Sequence, residues 1–331
     1  MTVLTASLPV FLHLLADRHG SPAGLLCEVA EEQGELPVEM LRELAHGRLP
    51  CFYRAALAPS AAEVLRQCGW RTLAPEQVLR LEAAPEQALA PAVQWLEGDW
   101  CMAPPPRPAG AQVGSRALAM QLVQLVSADA DTHEIEAVLR QDPTLSYHLL
   151  RVVNSLGMGA TRRVTSFSQA LLILGRSQLR RWLNLMLFSS RQGDSRSPML
   201  LARVSVRARA MELLAHDTGL GKAQQEQAFM VGMFSLLGVL FGMPLAEVLK
   251  PLTIGDAVLQ ALLAHGGELG QLLSLLEAAE RDDYPALQQQ LAALQIDDAT
   301  FNRTMTDAWL WMQGVISGQN GKAGEAGTGH A

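Results

Sequence analysis

The sequence predicts a mainly α protein, a multi-helical domain preceded by a small α/β segment. Three observations predict it. Leu and Ala dominate while aromatic residues make up only 5% of the chain; both are strong helix formers, and Ala fills strands poorly. Beyond Gly114 helix start and stop signals follow one another. In that part no sustained two-residue alternation marks a strand.

The first hundred residues carry mixed signals. Pro50-Cys51-Phe52-Tyr53-Arg54 and Thr72-Leu73 read as short strands, and Ala61–Cys68 and Glu86–Leu96 as helices. The run Ala103-Pro104-Pro105-Pro106-Arg107-Pro108 cannot be helix interior or central strand. With Gly110 and Gly114 it reads as a linker. The expected organisation is therefore an α/β segment over 1–103, a linker over 104–114, a helical domain over 115–316 and a disordered tail over 317–331. That tail has no apolar residue larger than Ala.

Beyond the linker, Asp131-Thr132 caps an amphipathic helix through Glu134, Ile135, Val138 and Leu139. Asp142-Pro143 opens the next, with Asp as N-cap and Pro at the first helical position. Leu145, Leu149, Val152 and Val153 line one face of it. Ser166 caps a third helix that runs to Leu174 and stops at Gly175. A fourth spans Gln178–Ser189. Later helices are expected over Met199–His216, Lys222–Gly242, Gly255–Leu263, Leu269–Arg281, Tyr284–Leu294 and Ala299–Ile316.

Composition excludes several classes. Hydrophobic residues make up 49% of the chain, enough for a packed core, and the net charge of −7 argues against a general nucleic-acid binder. Cys27, Cys51, Cys68 and Cys101 show no CxxC spacing, so reduced, buried thiols are expected rather than zinc ligands. The uncharged stretch Ala228–Ala246 nearly reaches the ~20 residues of a membrane span. Its glycines, its Pro244 and its acidic flanks Glu226 and Glu247 point to a buried core helix. No leader peptide is evident, and a cytoplasmic location is expected.

The segment Asp142–Trp182 carries the strongest motif. Asp142-Pro143, Leu149-Leu150-Arg151, Asn154-Ser155, Val164-Thr165-Ser166, Ala170-Leu171 and Leu174-Gly175-Arg176 resemble the signature of HDOD domains, catalytically silent relatives of the HD-type phosphohydrolases. Val231–Leu237 and Met243-Pro244-Leu245 also fit that family, although Gly238 stands where an acidic residue is expected. Leu96–Pro104 resembles the last strand of EAL domains, the cyclic-di-GMP phosphodiesterase barrels. Gly98, Trp100 and Pro104 fill the glycine, aromatic and proline places that end the barrel in joined EAL–HDOD proteins. The first 103 residues are far short of a complete barrel, which needs ~250 residues. The resemblance therefore implies a degenerate EAL remnant.

No catalytic or metal-binding set emerges. An HD enzyme needs two His and two Asp converging on metal. By the resemblance its His-Asp pair would fall on Ser235 and Leu236, a poor ligand and none. His216-Asp217 ends a helix before Thr218-Gly219, where a dipole-complementing histidine and a turn explain it. His148 is a lone helical histidine, and Glu63-Val64-Leu65 matches the EAL name motif by chance, inside a helical pattern. No Walker, GxGxxG or GxSxG motif occurs. No cofactor is expected.

Charge is unevenly placed. Eleven arginines lie between Arg151 and Ala210, with Asp194 the only acid. They form either a docking face, with Arg162, Arg163, Arg180, Arg181 and Trp182 as its candidates, or helix faces paired with acids elsewhere in the fold. Trp309 and Trp311, two apart, point to different sides of one helix. The resemblance implies a non-enzymatic interaction scaffold in bacterial second-messenger or stress signalling, contacting a kinase, cyclase or response regulator. Two alternatives stay open. One is a sensor that binds a cyclic dinucleotide as an anionic ligand; the other is a divergent metal-dependent phosphohydrolase or phosphodiesterase.

Overall fold

A computed structural model describes residues 8–29, 35–85, 88–105, 111–141, 175, 178, 181, 183–185, 188 and 194–320. The N-terminal part is a six-stranded sheet: β1 (Val10–Ala16), β2 (Pro22–Val29), β3 (Cys51–Arg54), β4 (Arg71–Leu73), β5 (Val78–Arg80) and β6 (Trp95–Glu97), in the spatial order β4-β3-β2-β1-β6-β5. β1 runs antiparallel to β2 and β6, whereas β2-β3, β3-β4 and β5-β6 are parallel. Two helices, α1 (Val38–Ala45) and α2 (Pro59–Gln67), make the crossovers β2-α1-β3 and β3-α2-β4.

The sheet curls. Its edge strands β4 and β5 are joined only by residues 74–77, a connection that reaches at most about 18 Å. The concave side bears this out: Leu15, Leu26, Phe52 and Leu73 meet Val78 and Trp95 there, one residue from every strand. Phe52 and Trp95 stack with ring centroids 4.9 Å apart. Alternate residues point outward, as a pleat requires. Leu14, Leu25, Cys27, Cys51, Tyr53 and Leu96 belong to the main core shared with the helices. All four cysteines are free and buried. Burial pushes the Cys51 thiol up to about 12, so it stays protonated and unreactive.

The α/β segment expected for the first hundred residues is thus a six-stranded sheet with two helices, and the mainly α expectation holds only beyond it. β3, β4 and α2 fall where they are expected, but β1 and β2 carry no alternating pattern because both of their faces are buried. The helix expected over Glu86–Leu96 does not form. Residues 88–94 are non-helical and Trp95–Glu97 is a strand; Pro91 sits where a helix interior would have to be.

The helices beyond are α3 (Ala111–Ser127), α4 (Thr132–Gln141), α5 (Ser197–Asp217), α6 (Lys222–Phe234), α7 (Leu237–Phe241), α8 (Leu245–Leu249), α9 (Asp256–Ala264), α10 (Gly267–Glu280), α11 (Tyr284–Leu294) and α12 (Asp298–Asn320). Helix α3 has no start signal in the sequence. Gln178, Arg181, Leu183–Leu185 and Phe188 are helical. The Asp142-Pro143 and Ser166 helices lie outside the described residues.

Lys222–Gly242 is not one helix. It breaks at Ser235-Leu236, where the Ser235 hydroxyl donates back to the Gly232 carbonyl at 2.7 Å. Helix α12 passes the expected end at Ile316 and includes the first four residues of the expected tail. No helix among the described residues is long and apolar enough to cross a membrane.

Two close approaches hold the helical layer. A side chain at Gly232 of α6 would meet the Ala208 backbone of α5 at 2.7 Å, so these helices pack almost backbone to backbone. Helix α12 lies across α5 and returns to the sheet. Its Asn302 accepts from Val10 N at 3.3 Å and donates to the Leu8 carbonyl at 2.9 Å. Gln313 Oε1 accepts from Leu49 N at 3.1 Å. Buried backbone groups next to β1 and β3 thus find partners on the last helix.

Candidate functional site

The structure brings the Ser235-Leu236 position together with α5 and α10. Leu236 is buried at 2% exposure. The Ser235 hydroxyl accepts from Arg207 Nη1 at 2.8 Å. The same guanidinium donates through Nε to Glu280 Oε1 at 2.8 Å, and through Nη2 to Glu280 Oε2. That bidentate fork is the strong form of a charged pair. Glu277 lies 4.0 Å from Arg207 and 3.0 Å from His265. Burial pushes the Glu280 carboxyl up, but Arg207 outweighs it and holds the group below its usual range. The centre therefore contains a fixed organic cation facing a hydroxyl and a carboxylate.

Next to it, between β1 and helices α5, α10 and α12, is a cavity of about 60 Å³ that His13, Arg203, Arg207, Glu280 and Trp309 help to line. His13 lies 2.9 Å from Asp282 and Arg203 lies 2.7 Å from Asp99, so polar contacts cross there.

The described arginines of the basic region each face an acid within the fold. Arg181 bonds Glu212 at 2.6 Å and lies 4.4 Å over the Phe229 ring. Arg209 holds the other Glu212 oxygen at 2.7 Å. Arg196, 1% exposed, pairs with Asp194. Arg203 pairs with Asp99, and Arg207 with Glu280. Arg181 is therefore placed inside a packed network and not on an open face. Burial raises the Glu212 carboxyl, but bonds from Arg181 and Arg209 outweigh that and lower it. Arg162, Arg163, Arg180 and Trp182 lie outside the described residues. So do Asp142, Pro143, Leu149, Arg151, Asn154, Ser155, Arg176 and His148. Gly175 is described, with φ at +72°, where glycine is favoured.

His216 and Asp217 end α5, as the capping explanation has it. His216 is exposed, while Asp217 accepts from Thr304 at 3.1 Å and ties α12 to α5. Among the described residues no three His, Cys, Asp or Glu side chains gather as metal ligands. Trp309 is buried and Trp311 half-buried, and Trp311 meets Phe229 edge-on at 6.1 Å. The Arg207 centre went unread because its members are 28 and 73 residues apart. The cluster of arginines was the one available signal.

Residues 116–248 match the HDOD domain family. The chain is 34% identical over 200 residues to Cyclic di-GMP phosphodiesterase CdgJ of Vibrio cholerae, an alignment covering 60% of this chain and 46% of that protein. It is 29% identical over 165 residues to the uncharacterized protein YuxH of Bacillus subtilis, covering 49% and 40% respectively. The chain thus spans less than half the length of both relatives. A solved structure from Shewanella amazonensis, described as a candidate phosphohydrolase, is similar at TM-score 0.42 and 16% identity, covering 66% of this chain and 98% of that one.

Proposed function

We propose that this chain is a non-catalytic signalling protein that works through its HDOD domain in cyclic-di-GMP-linked regulation. One observation carries the non-catalytic part. At Ser235, where the resemblance would put the metal-holding His-Asp pair, the hydroxyl receives the Arg207 guanidinium at 2.8 Å. A permanently charged guanidinium repels a divalent ion, and its Glu280 partner is no longer free to bind one. The cyclic-di-GMP link rests on the relative named for that activity.

The sheet is read as a shortened EAL barrel. Its last strand, β6, is followed by Gly98 at φ +93°, by the fully buried Trp100 and by Pro104, in the order that the resemblance requires. Output passes by contact to a kinase, cyclase or response regulator. Arg162, Arg163, Arg180 and Trp182 are the docking candidates that remain, since Arg181 is engaged with Glu212.

The test is metal analysis of purified protein together with a cyclic-di-GMP hydrolysis assay in Mn²⁺ and Mg²⁺. Metal-free protein without turnover supports the reading. Stoichiometric metal with turnover establishes the enzyme alternative, which the name of the Vibrio relative favours. Binding of cyclic-di-GMP without turnover establishes the sensor alternative.

A further inference from the structure

A cavity of about 820 Å³ opens at the C-terminal ends of β2 and β3, away from the Arg207 centre. Its size falls within the ~300–1,000 Å³ of small-molecule sites. Leu8, Val29, Leu36, Val38, Leu57 and Val64 form apolar walls, and Glu28, Glu35, Arg54 and Ser60 supply the polar groups.

The sign of the charge selects the ligand. Arg54 is flanked by two carboxylates: it donates through Nε to Glu28 and through Nη2 to Glu97 at 2.8 Å. Of these two acids only Glu28 lines the cavity, where it offsets Arg54. Glu35 adds a further carboxylate, exposed and without an ion pair among the described residues. Helix α2 starts beside the cavity at Ser60 and Ala61 and contributes about half a positive charge. Half a charge does not offset the surplus of carboxylates.

We infer that this cavity binds a small organic cation, an alkyl or arylalkyl ammonium. Its apolar body lies against the walls, and its N–H groups are received by Glu28 and Glu35. The site belongs to the sheet and does not depend on how the HDOD domain acts.

The test is thermal unfolding of the full chain with hexylammonium chloride, against sodium hexanoate of equal chain length and ionic strength. Saturating hexylammonium raises Tm by about 2 °C or more, and hexanoate leaves it unchanged. Val64→Trp crowds the apolar wall and diminishes the shift. Glu35→Gln, at an exposed position that keeps the fold, weakens apparent affinity at least threefold. An equal response to both ions, a response to hexanoate alone, or none to hexylammonium overturns the proposal. So does an unchanged response in Glu35→Gln.

Discussion

Glu212 shows how a single buried group is held. Its carboxylate receives Arg181 and Arg209 on its two oxygens, and Arg181 also covers Phe229. Reversing the charge in Arg181→Glu sets two acids against each other in a site where the Glu212 side chain is 9% exposed. Breaking a buried pair costs about 3–5 kcal/mol, so the urea midpoint of this variant falls sharply. The pair also gives stability a pH dependence of defined sign. The folded Glu212 pKa lies below its ordinary 4.5. Its contribution is full above that value and is lost as pH falls through the lower folded value. Denaturation at pH 6 and pH 3 measures the difference, and Glu212→Gln reduces it. Arg207 and Glu280 make a second such pair. A double-mutant cycle with Arg207→Met and Glu280→Gln returns a coupling of about 1–3 kcal/mol; additive effects would show that the bidentate fork contributes nothing.

At the scale of elements, the contact between α5 and α6 is the most exacting. Any side chain at Gly232 meets backbone, which cannot swing aside. Gly232→Val therefore destabilises by about 3 kcal/mol or more or prevents folding, as calorimetry will show. The sequence displayed these helices well where Asp, Pro or Gly marked their ends, as at Asp283 before α11, whose side chain accepts from Ala286 N. It concealed β1 and β2, because a strand buried on both faces reads as a plain apolar run. It also concealed the break at Ser235, whose hydroxyl bonds back to Gly232 and receives an arginine 28 residues away. Of the candidate centre, the chain showed Ser235 and Leu236 at the place where the resemblance implies a His-Asp pair. It could not show that Arg207 meets Ser235, since that follows from how α5 packs on α6.

Over the whole molecule, sheet and helices share one core. Phe11, Leu14 and Trp100 of the N-terminal part pack with Val204, Ala208 and Leu276 of the helices. Residues 1–103 made alone would turn that outer face to water, and each large apolar side chain so exposed costs about 1.5–3 kcal/mol. Such a fragment is expected to aggregate or to lack amide dispersion in an NMR spectrum; a monomeric, well-dispersed fragment would show that the sheet is self-sufficient. Asn302→Ala tests the same union more gently. It removes both bonds to Leu8 and Val10 and speeds hydrogen exchange at the start of β1, with a cost of about 1–3 kcal/mol.

Those two bonds also set a timetable. Val10 and its partner Asn302 are 292 residues apart in the chain, and a ribosome adding ~5–20 residues per second takes roughly 15–60 s to travel that far. Throughout that interval the first strands exist without the helix that completes them. The nascent protein therefore has to carry an unfinished, sticky sheet while those residues are added, and its yield in a cell depends on how well that surface is shielded until α12 arrives.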